Sequence, residues 1–561
     1  MEKAKKAAIA LSLANLFFIR EWAVLLKTSN WFSMNLILIP YHLIALILNV
    51  IVLAGGFYLG WRIARSSQNK VATILARGSF LGALTILLTV IFELNGIEYS
   101  EFLYGSNGYW RFLMHYEWRF LAARFIFYSF AAFGLIQKKN KNIRHASILC
   151  LMALTLPPFI PEMILFGLLI FLALQFWHRP VIRFALKTLL ILSPFILVTL
   201  SQAAWRIVEV RSIVRNKPVV QKTRSNIISE TRVLWLIFDE MDQRFSFPGR
   251  PATLKLPELD RLRAKSFYAA NAYSPASSTY LSISALLTGQ LVSLCKPTPS
   301  DMMITLAKSG ETVKLSAQPS IFTKAFKAGF NTAFVSETEN WQSIFKSQTN
   351  TQLEKNFTLD DPLAAMFKII AYQSSRLLPI WSATRKATLQ RQLSNQSVVN
   401  DYQAALYNAK KCVQDPGLGL IVAYFLLPHY PYIYDRSARE LIYDYKNTPE
   451  GDNEGYLNNL ALVDRTLGEL RIVMEQSGTW EKTAVILSSD HHWRDAKFYD
   501  GKVFDRWVPF IVKLPGQNEG ILYERRLETL LTHDLVLALL DREISGPREL
   551  VRWIDHRRKS P

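Results

Sequence analysis

The stretch Ala484–Arg494, AVILSSDHHWR, drives an apolar, β-branched run into two serines and then an acid, two histidines, a tryptophan and an arginine. Carboxylate oxygen and imidazole nitrogen are the donors that hold a divalent ion such as Zn²⁺ or Mn²⁺. Asp490 and His491 are therefore candidates for one half of a metal site. Two other stretches have the same form: VLWLIFDEMD ends on Asp239 and Glu240, and LIVAYFLLPHYPYIYD delivers His429 just past an apolar run. A fourth, SPASSTYLSISALLTG, sets the hydroxyls of Ser277, Ser278 and Thr279 ahead of an apolar helix that closes at Leu287-Thr288-Gly289. A hydroxyl at that position is an ordinary helix N-cap. It is equally the place for a nucleophile activated by a metal, with the helix N-terminus stabilising negative charge. An acid after a strand is, taken alone, more often a cap or turn residue. Two carboxylates and a histidine from separate strand ends point instead to a divalent ion.

Residues so far apart in the chain meet only if their strands lie side by side. The pattern from residue 232 onward predicts this. Val233–Phe238 reads as a strand, Pro257–Lys265 as an amphipathic helix, and Ile321–Gly329 with Thr332–Val335 as helix, turn, strand. Asn395–Val413 reads as a helix, Gly419–Leu427 as a buried strand, Tyr456–Glu475 as a long helix and Thr483–Leu487 as a strand. Alternation of this kind predicts a mostly parallel sheet covered by helices, with ligands beyond the carboxyl ends of the strands. Residues 336–394 carry no readable pattern. Cys295 and Cys412 could form one disulfide if this domain lies outside the cytoplasm, and two unpaired thiols is the equal alternative; no cysteine spacing resembles a zinc site.

The chain before residue 207 is different in kind. Apolar runs long enough to span a bilayer fall near 7–26, 33–61, 78–96, 119–136, 146–158, 160–177 and 188–206. Arg20 and Glu21 weaken the first, which could lie in the interface instead. The fifth and sixth meet at Pro157-Pro158-Phe159-Ile160-Pro161 and could be one helix. Arg62–Arg77, Gln137–His145, His178–Lys187 and Glu2–Lys6 are all rich in Lys and Arg, and seven spans put all four on the cytoplasmic side. The expectation is an anchor of about seven helices over 1–206, a basic juxtamembrane connector over 207–231 and an extracytoplasmic domain over 232–561, in a multi-pass inner-membrane protein with no removed signal peptide. The charge balance agrees. Lys plus Arg outnumber Asp plus Glu by 65 to 45, but 25 of those basic residues and only 9 of the acidic ones lie in Met1–Glu230. The first aspartate of the chain is Asp239. An excess confined to the apolar half fits membrane topology and argues against nucleic acid as a partner.

Together, VLWLIFDE, TYLSISALLTG, LLPHYPYIYD, and YLNNLALVDRTLGEL followed by AVILSSDHH resemble the sulfatase and alkaline phosphatase superfamily, over roughly Arg232–Leu540 and in order. RWVPFIVKLPG is similar to the segment that follows the Asp-His pair there. The multi-span anchor is similar to that of the membrane-anchored branch, the lipoteichoic acid synthases and phosphoethanolamine transferases. The resemblance implies an alkaline-phosphatase-like α/β domain and metal ligands at Asp239, Asp490 and His491. Glu240 is a neighbouring candidate ligand, or a replacement if the strand register is shifted by one. It implies Thr279 as nucleophile and metal neighbour, and His429 as the group that contacts the transferred moiety or protonates the leaving group.

Two departures stand out. Sulfatases mature a Cys or Ser followed closely by Pro and Arg into formylglycine; Thr279-Tyr280-Leu281-Ser282-Ile283 has neither that Pro nor that Arg, and threonine is not the precursor, which disfavours sulfate ester hydrolysis. His492 stands where the family usually has Gly, so His492, Trp493 and Arg494 are expected either to build a substrate pocket or to leave Trp493 as a mere cover. The leading expectation is a metal-dependent phosphotransferase that moves a phosphoethanolamine- or phosphoglycerol-like headgroup from a membrane phospholipid to an envelope glycan or lipid. The alternatives are a hydrolase of phosphate or sulfate esters on surface glycans, and a non-catalytic membrane scaffold.

Overall fold

The computed structural model describes residues 2–27, 39–66, 186–215, 231–350, 382–442 and 449–559, isolated positions excepted, with a few more between 366 and 373. The chain divides into two compact units, one of residues 1–27, 36–215 and 359–390, the other of residues 28–35, 216–358 and 391–561.

In the first unit, the run expected near 7–26 forms two helices, Glu2–Phe17 and Ile19–Leu26, and Ile39–Ser66 forms a third. The last run continues past its expected end at 206, as the helix Phe195–Arg215. Two helices among the described residues, at Ile39–Leu59 and Leu186–Ile213, are long and apolar enough to cross a membrane by length and composition. The spans expected at 78–96, 119–136, 146–158 and 160–177 lie outside the described residues. Part of the stretch that carried no readable pattern belongs to this unit: Asn49 Nδ2 donates to Gln373 Oε1 at 3.1 Å, and Gln373 Nε2 donates to the His42 carbonyl at 3.0 Å.

The second unit is an α/β domain built on one large sheet. Its strands are β1 (Arg232–Phe238), β2 (Phe267–Tyr273), β6 (Asn331–Ser336), β7 (Leu418–Phe425), β10 (Thr483–Ser489), β11 (Trp507–Lys513), β12 (Ile521–Tyr523) and β13 (Leu527–Glu528). A small three-stranded sheet of β3 (Val292–Pro297), β4 (Met302–Leu306) and β5 (Thr312–Lys314) and a short ribbon of β8 (Tyr434–Asp435) and β9 (Glu440–Leu441) stand apart from it. The order across the large sheet is β12-β2-β11-β10-β1-β7-β6, with β13 also beside β2. β1 pairs in parallel with β10 and β7, and β7 with β6; only β11 runs antiparallel to its neighbours.

β1 shows why an unbroken apolar run makes a central strand. All seven of its residues are buried. Val233, Trp235 and Ile237 point into one hydrophobic layer with the helices Thr279–Thr288, Ile321–Lys327 and Thr532–Leu540. Leu234, Leu236 and Phe238 point into the other, against Pro257–Ala264, Ser382–Gln414 and Pro449–Gln476. Both faces are dry, so alternation disappears from the sequence. At the amino end of β1, Arg232 is buried too; it donates to the carbonyls of Val413, Asp415 and Leu418, which fixes β1 against β7. Cys295 and Cys412 are both free thiols. Burial pushes them up to about 11 and about 12, so they are inert at neutral pH.

Candidate metal centre and active site

Parallel pairing of β1, β7 and β10 brings three strand ends to one edge, and the residues just beyond them form the site. Two serines close β10. Trp235 Nε1 on β1 donates to Ser488 Oγ at 2.9 Å, spanning the two strands from inside the core. Ser489 Oγ lies 2.7 Å from the Phe238 carbonyl and 2.8 Å from the His491 carbonyl, and accepts from the Met241 amide at 3.0 Å. These bonds clamp the turn after β1 to the turn after β10, so Asp239 and Asp490 leave their strands side by side.

Asp239, Asp490 and His491 are fully buried and offer ligand atoms that all lie within 4.8 Å of one another. His491 Nε2 is 3.5 Å from Asp239 Oδ1 and 3.5 Å from Asp490 Oδ2. Those two oxygens have no hydrogen-bond partner, although each carboxylate's other oxygen is well held. Tyr424 Oη, from β7, donates to Asp239 Oδ2 at 2.8 Å. The amides of Glu240 and His491 donate to Asp490 Oδ1 at 3.2 and 2.7 Å. His491 Nδ1 faces the His492 carbonyl at 2.9 Å, and a carbonyl only accepts. Nδ1 therefore carries a proton, and Nε2 faces the two bare carboxylate oxygens and the Thr279 hydroxyl. Two carboxylate oxygens without a donor thus converge on one ring edge. Burial and the neighbouring Asp239 charge push the Asp490 carboxyl well above the usual carboxylate range. The residues fit a divalent ion, which these oxygen and nitrogen donors would hold.

Thr279 opens its helix, which runs to Thr288 and ends in a left-handed Gly289 at φ 73°. A Cβ at Gly289 would meet the His533 ring at 2.7 Å, so only glycine closes the helix there. Ser278 occupies the N-cap position, yet its side chain makes no capping bond. Ser277 Oγ donates instead to Asp505 Oδ1 at 2.7 Å. Thr279 Oγ1 is 3.1 Å from His491 Nε2, on the rim of the acidic cluster. The loop ahead of it is pinned by Ser282 Oγ, which donates to the Ala276 carbonyl at 3.0 Å and accepts from the Ala276 amide at 3.1 Å.

Glu240 is not brought to this cluster. Its backbone is left-handed, φ 62°, which turns the side chain away from Asp239. Tyr456 Oη holds that turn by donating to the Glu240 carbonyl at 2.8 Å while accepting from the Asp242 amide at 3.0 Å. The Glu240 carboxylate pairs with Arg494 Nε at 2.5 Å, and Arg494 Nη2 donates to His429 Nε2 at 3.1 Å. His429 Nδ1 donates to the Tyr430 carbonyl. Asn459 fixes the surrounding loop: its Nδ2 reaches the His429 carbonyl at 3.1 Å and its Oδ1 accepts from the Ile433 amide at 2.9 Å. Burial works against a charge on the His429 ring, but the carboxylates of Asp239 and Glu240 outweigh it and raise its pKa.

His492 is part of the scaffold. It is buried, its Nδ1 accepts from the Arg506 amide at 3.1 Å, and burial together with the adjacent His491 lowers its pKa to about 4. Trp493 is buried as well, stacked on Tyr456 with ring centroids 4.0 Å apart and met edge-on by Phe245. The stretch after the Asp-His pair thus contributes Arg494 to the open side and a cover of rings behind it.

Residues not anticipated from the sequence include Tyr424, Tyr456, Asn459 and Glu337. Glu337 follows β6 as Asp239 follows β1; its Oε1 accepts from the Leu426 amide at 3.0 Å and its Oε2 is buried without a partner. Burial raises its carboxyl well above the usual range, and Asp401 and Asp239 add to the push. An acid after an apolar run was the signal, but it falls at the start of the unreadable stretch.

A sheet of this order carrying a carboxylate-imidazole cluster at its strand ends defines an alkaline-phosphatase-like domain. The sulfatase family model matches residues 231–540, more than half of the sequence, and the chain belongs to that family within the sulfatase and alkaline phosphatase superfamily. Membership supports a hydrolase- or esterase-type enzyme. Solved structures similar to the chain include a phosphonate monoester hydrolase from Silicibacter pomeroyi, 14% identical, TM-score 0.36, over 55% of this chain and 73% of the other. Another is the PsFucS1 sulfatase from Pseudoalteromonas sp., 14% identical, TM-score 0.38, over 56% and 69%. A third is a phosphonate monoester hydrolase of Agrobacterium radiobacter, 14% identical, TM-score 0.33, over 56% and 73%. The comparison with curated proteins found no match.

Proposed function

We propose that the chain is a membrane-anchored, metal-dependent phosphotransferase that moves a phosphoethanolamine- or phosphoglycerol-like headgroup from a membrane phospholipid to an envelope glycan or lipid. The observation that carries this reading is a threonine hydroxyl, not a formylglycine precursor, at a helix N-terminus 3.1 Å from a histidine whose neighbours are two unpartnered carboxylate oxygens. In this reading Asp239, Asp490 and His491 hold the ion and Thr279 is the nucleophile. Zn²⁺ or Mn²⁺ there would lower the pKa of the attacking hydroxyl and neutralise phosphoryl charge.

Thr279 Oγ1, its proton released to solvent, forms a bond to phosphorus as the bond from phosphorus to the lipid glycerol oxygen breaks. Arg494 turns from His429 Nε2 to the phosphate, and the His429 imidazolium gives its Nε2 proton to the glycerol oxygen, so that diacylglycerol departs as the free alcohol. An acceptor hydroxyl then attacks the phosphorylated threonine, its proton passes back to His429, and Thr279 Oγ1 is freed for the next cycle. In this reading the amides at the helix start face the developing negative charge, and Arg494 meets the phosphate. The apolar runs before residue 207 act as a multi-span anchor in a cell membrane, holding the domain on the extracytoplasmic face near its lipid donor.

Family membership equally favours a second reading, hydrolysis of phosphate or sulfate esters on surface glycans, with water in place of the acceptor. Mass spectrometry of the Thr279 peptide after incubation with phospholipid vesicles tests the two together. The transferase reading expects a headgroup-phosphate adduct that an added glycan or lipid acceptor discharges. An adduct that decays at the same rate without acceptor makes the chain a hydrolase, and no adduct under any condition removes Thr279 as nucleophile.

A further inference from the structure

The small sheet β3-β4-β5 packs one face against the helix that opens at Thr279 and leaves the other largely exposed. On the inner face, Val292, Met302, Ile304 and Leu306 are buried in the hydrophobic layer they share with that helix. Cys295 points the same way. Its Sγ donates to the Tyr280 carbonyl at 3.3 Å, so β3 runs back alongside the helix to the residue after the candidate nucleophile. With one face in the core, alternation predicts a polar outer face.

A bulge alters that pattern. Val292 pairs with Leu306 and Leu294 with Thr305, which leaves Ser293 as one extra residue on β3. Ser293 Oγ donates to the Thr305 carbonyl at 3.2 Å and holds the bulge in place. In a regular strand Leu294 would point inward beside Val292. The extra residue turns it outward, where it is 61% exposed, and Leu291 just ahead of the strand is 50% exposed. Cross-strand partners share a face. Leu294 therefore stands with Thr305 and Thr312, and Lys296 with Met303 and Lys314. Both lysines are exposed, and neither is paired with another described residue. The strands themselves, VSLCKP, MMITL and TVK, contain no acid. Of the acids beside them, Asp301 is buried and accepts from the Ser316 hydroxyl and amide, while Glu311 lies in the turn between β4 and β5.

A leucine turned outward between uncompensated lysines is complementary to a surface that is apolar inside and anionic outside. An anionic bilayer is such a surface: the leucine enters the boundary between headgroups and acyl chains, and the lysine stems lie over it with their ammonium groups at the phosphates. We infer that the outer face of this sheet docks on the anionic surface of the bilayer that holds the lipid donor. That a bilayer is within reach rests on the membrane-anchored reading above; the match to an apolar, anionic surface rests on the sheet alone. Because β3 is tied to Tyr280, docking there sets how a lipid headgroup approaches Thr279.

The test is fluorescence quenching in the full-length chain at one copy per nanodisc, which excludes a second copy as the partner. A bimane label at Thr312→Cys, in a chain carrying Cys150→Ala, reports the outer face; the raised thiols of Cys295 and Cys412 stay unlabelled at neutral pH. A label at Lys482→Cys, exposed beside the amino end of β10 and so at the edge opposite the site, is the reference. Phosphatidylglycerol discs doped with a headgroup nitroxide lipid should quench the Thr312 label strongly and the Lys482 label little. Phosphatidylcholine discs with the same dopant should quench the Thr312 label less. Lys296→Glu with Lys314→Glu should bring Thr312 quenching down to the Lys482 level, and Leu294→Asn should lower it partway. The double reversal should also raise KM for disc-borne phospholipid by roughly 5- to 25-fold, the weight of two lysines at an anionic surface. It should leave kcat on a soluble phosphodiester unchanged, which a merely structural fault would not. Equal quenching of the two labels, equal quenching in the two kinds of disc, or quenching that survives the double reversal would each overturn the docking. Quenching needs no turnover, so the two proposals fail separately. A quenched face without headgroup transfer overturns the proposed function alone, and transfer with an unquenched face overturns the docking alone.

Discussion

Asp239 and Glu240 are neighbours in the chain and opposites in their surroundings. The Asp239 carboxylate has one oxygen held by Tyr424 and the other bare, in a dry cluster with Asp490 and His491. The Glu240 carboxylate is paired with Arg494, which in turn holds His429. One site gathers bare carboxylate oxygens that fit a positive charge, and the other is a network whose charges already match. The difference separates what the two groups can do chemically. A cluster with unmet acceptors is built for an ion, whereas a satisfied pair facing solvent can exchange its partner for a substrate phosphate. The left-handed backbone at Glu240 is the device that separates the two.

The comparison breaks most decisively at Thr279, which touches the first cluster and not the second. Thr279→Ala should cost on the order of 10³-fold or more in turnover, measured on a chromogenic phosphodiester, if the hydroxyl is the nucleophile. Stability should move by no more than about 0.5 kcal/mol, because the hydroxyl caps nothing. Thr279→Ser should retain activity. A protein destabilised by about 1 kcal/mol with normal turnover would return Thr279 to a capping role.

Asp490→Asn sharpens the claim that the first cluster awaits a cation. It should abolish bound metal by elemental analysis and activity with it. In metal-free protein the same change should raise stability by about 1–3 kcal/mol, because a buried, unmet acceptor is removed from beside Asp239. In metal-loaded protein the order should invert, since the ion stabilises only the chain that binds it. A metal-free wild type no less stable than Asp490→Asn would mean that the cluster is satisfied as it stands.

How much of this was visible in the sequence follows from what each residue does. β1, β7 and β10 were legible because strands buried on both faces must be apolar without interruption. That their ends share one edge, and so the convergence of Asp239, His429 and Asp490, followed from helix-strand alternation, whereas the order of the strands came only with the structure. β2, FYAANAY, and the three short strands of the small sheet were not legible, since mixed runs of three to seven residues have no distinctive period. The direction of β11 was hidden for another reason: an apolar strand reads the same either way, and only its register against β10 and β2 reveals the reversal. Within the site, donor types could be read but the sorting of Glu240 from Asp239 could not. It depends on one positive φ and on a tyrosine more than two hundred residues away. His492 looked as reactive as His491, and only burial and the Arg506 amide show it to be scaffold.

The second network should yield smaller effects, with metal content as the discriminating readout. Arg494→Ala removes a half-exposed guanidinium from Glu240 and His429, and should lower kcat/KM by roughly 10- to 100-fold while leaving the metal in place. Loss of metal in that variant would merge the two clusters. Tyr424→Phe acts on the first cluster from behind. It strips the second oxygen of Asp239 of its donor, and should weaken metal affinity by about 10- to 100-fold with near-normal turnover once metal is saturating.

The smallest effect expected is a displacement in pH. The His429 pKa is raised because Asp239 and Glu240 outweigh burial, with Arg494 opposing them. A histidine raised in the folded state binds its proton more tightly there than in the unfolded chain. Its contribution to stability is therefore complete below the unfolded value of about 6.5 and is lost as pH rises through the higher folded value. If the protonated ring serves the leaving group, the alkaline limb of kcat/KM should fall above the ordinary histidine range. Arg494→Ala removes the opposing cation and leaves Glu240 unpaired beside the ring, so the limb should move to still higher pH. The shift separates two explanations of the slower Arg494→Ala enzyme. A guanidinium that only binds phosphate would change the height of the profile and leave its limb in place. One that also holds the His429–Glu240 pair in balance must move both.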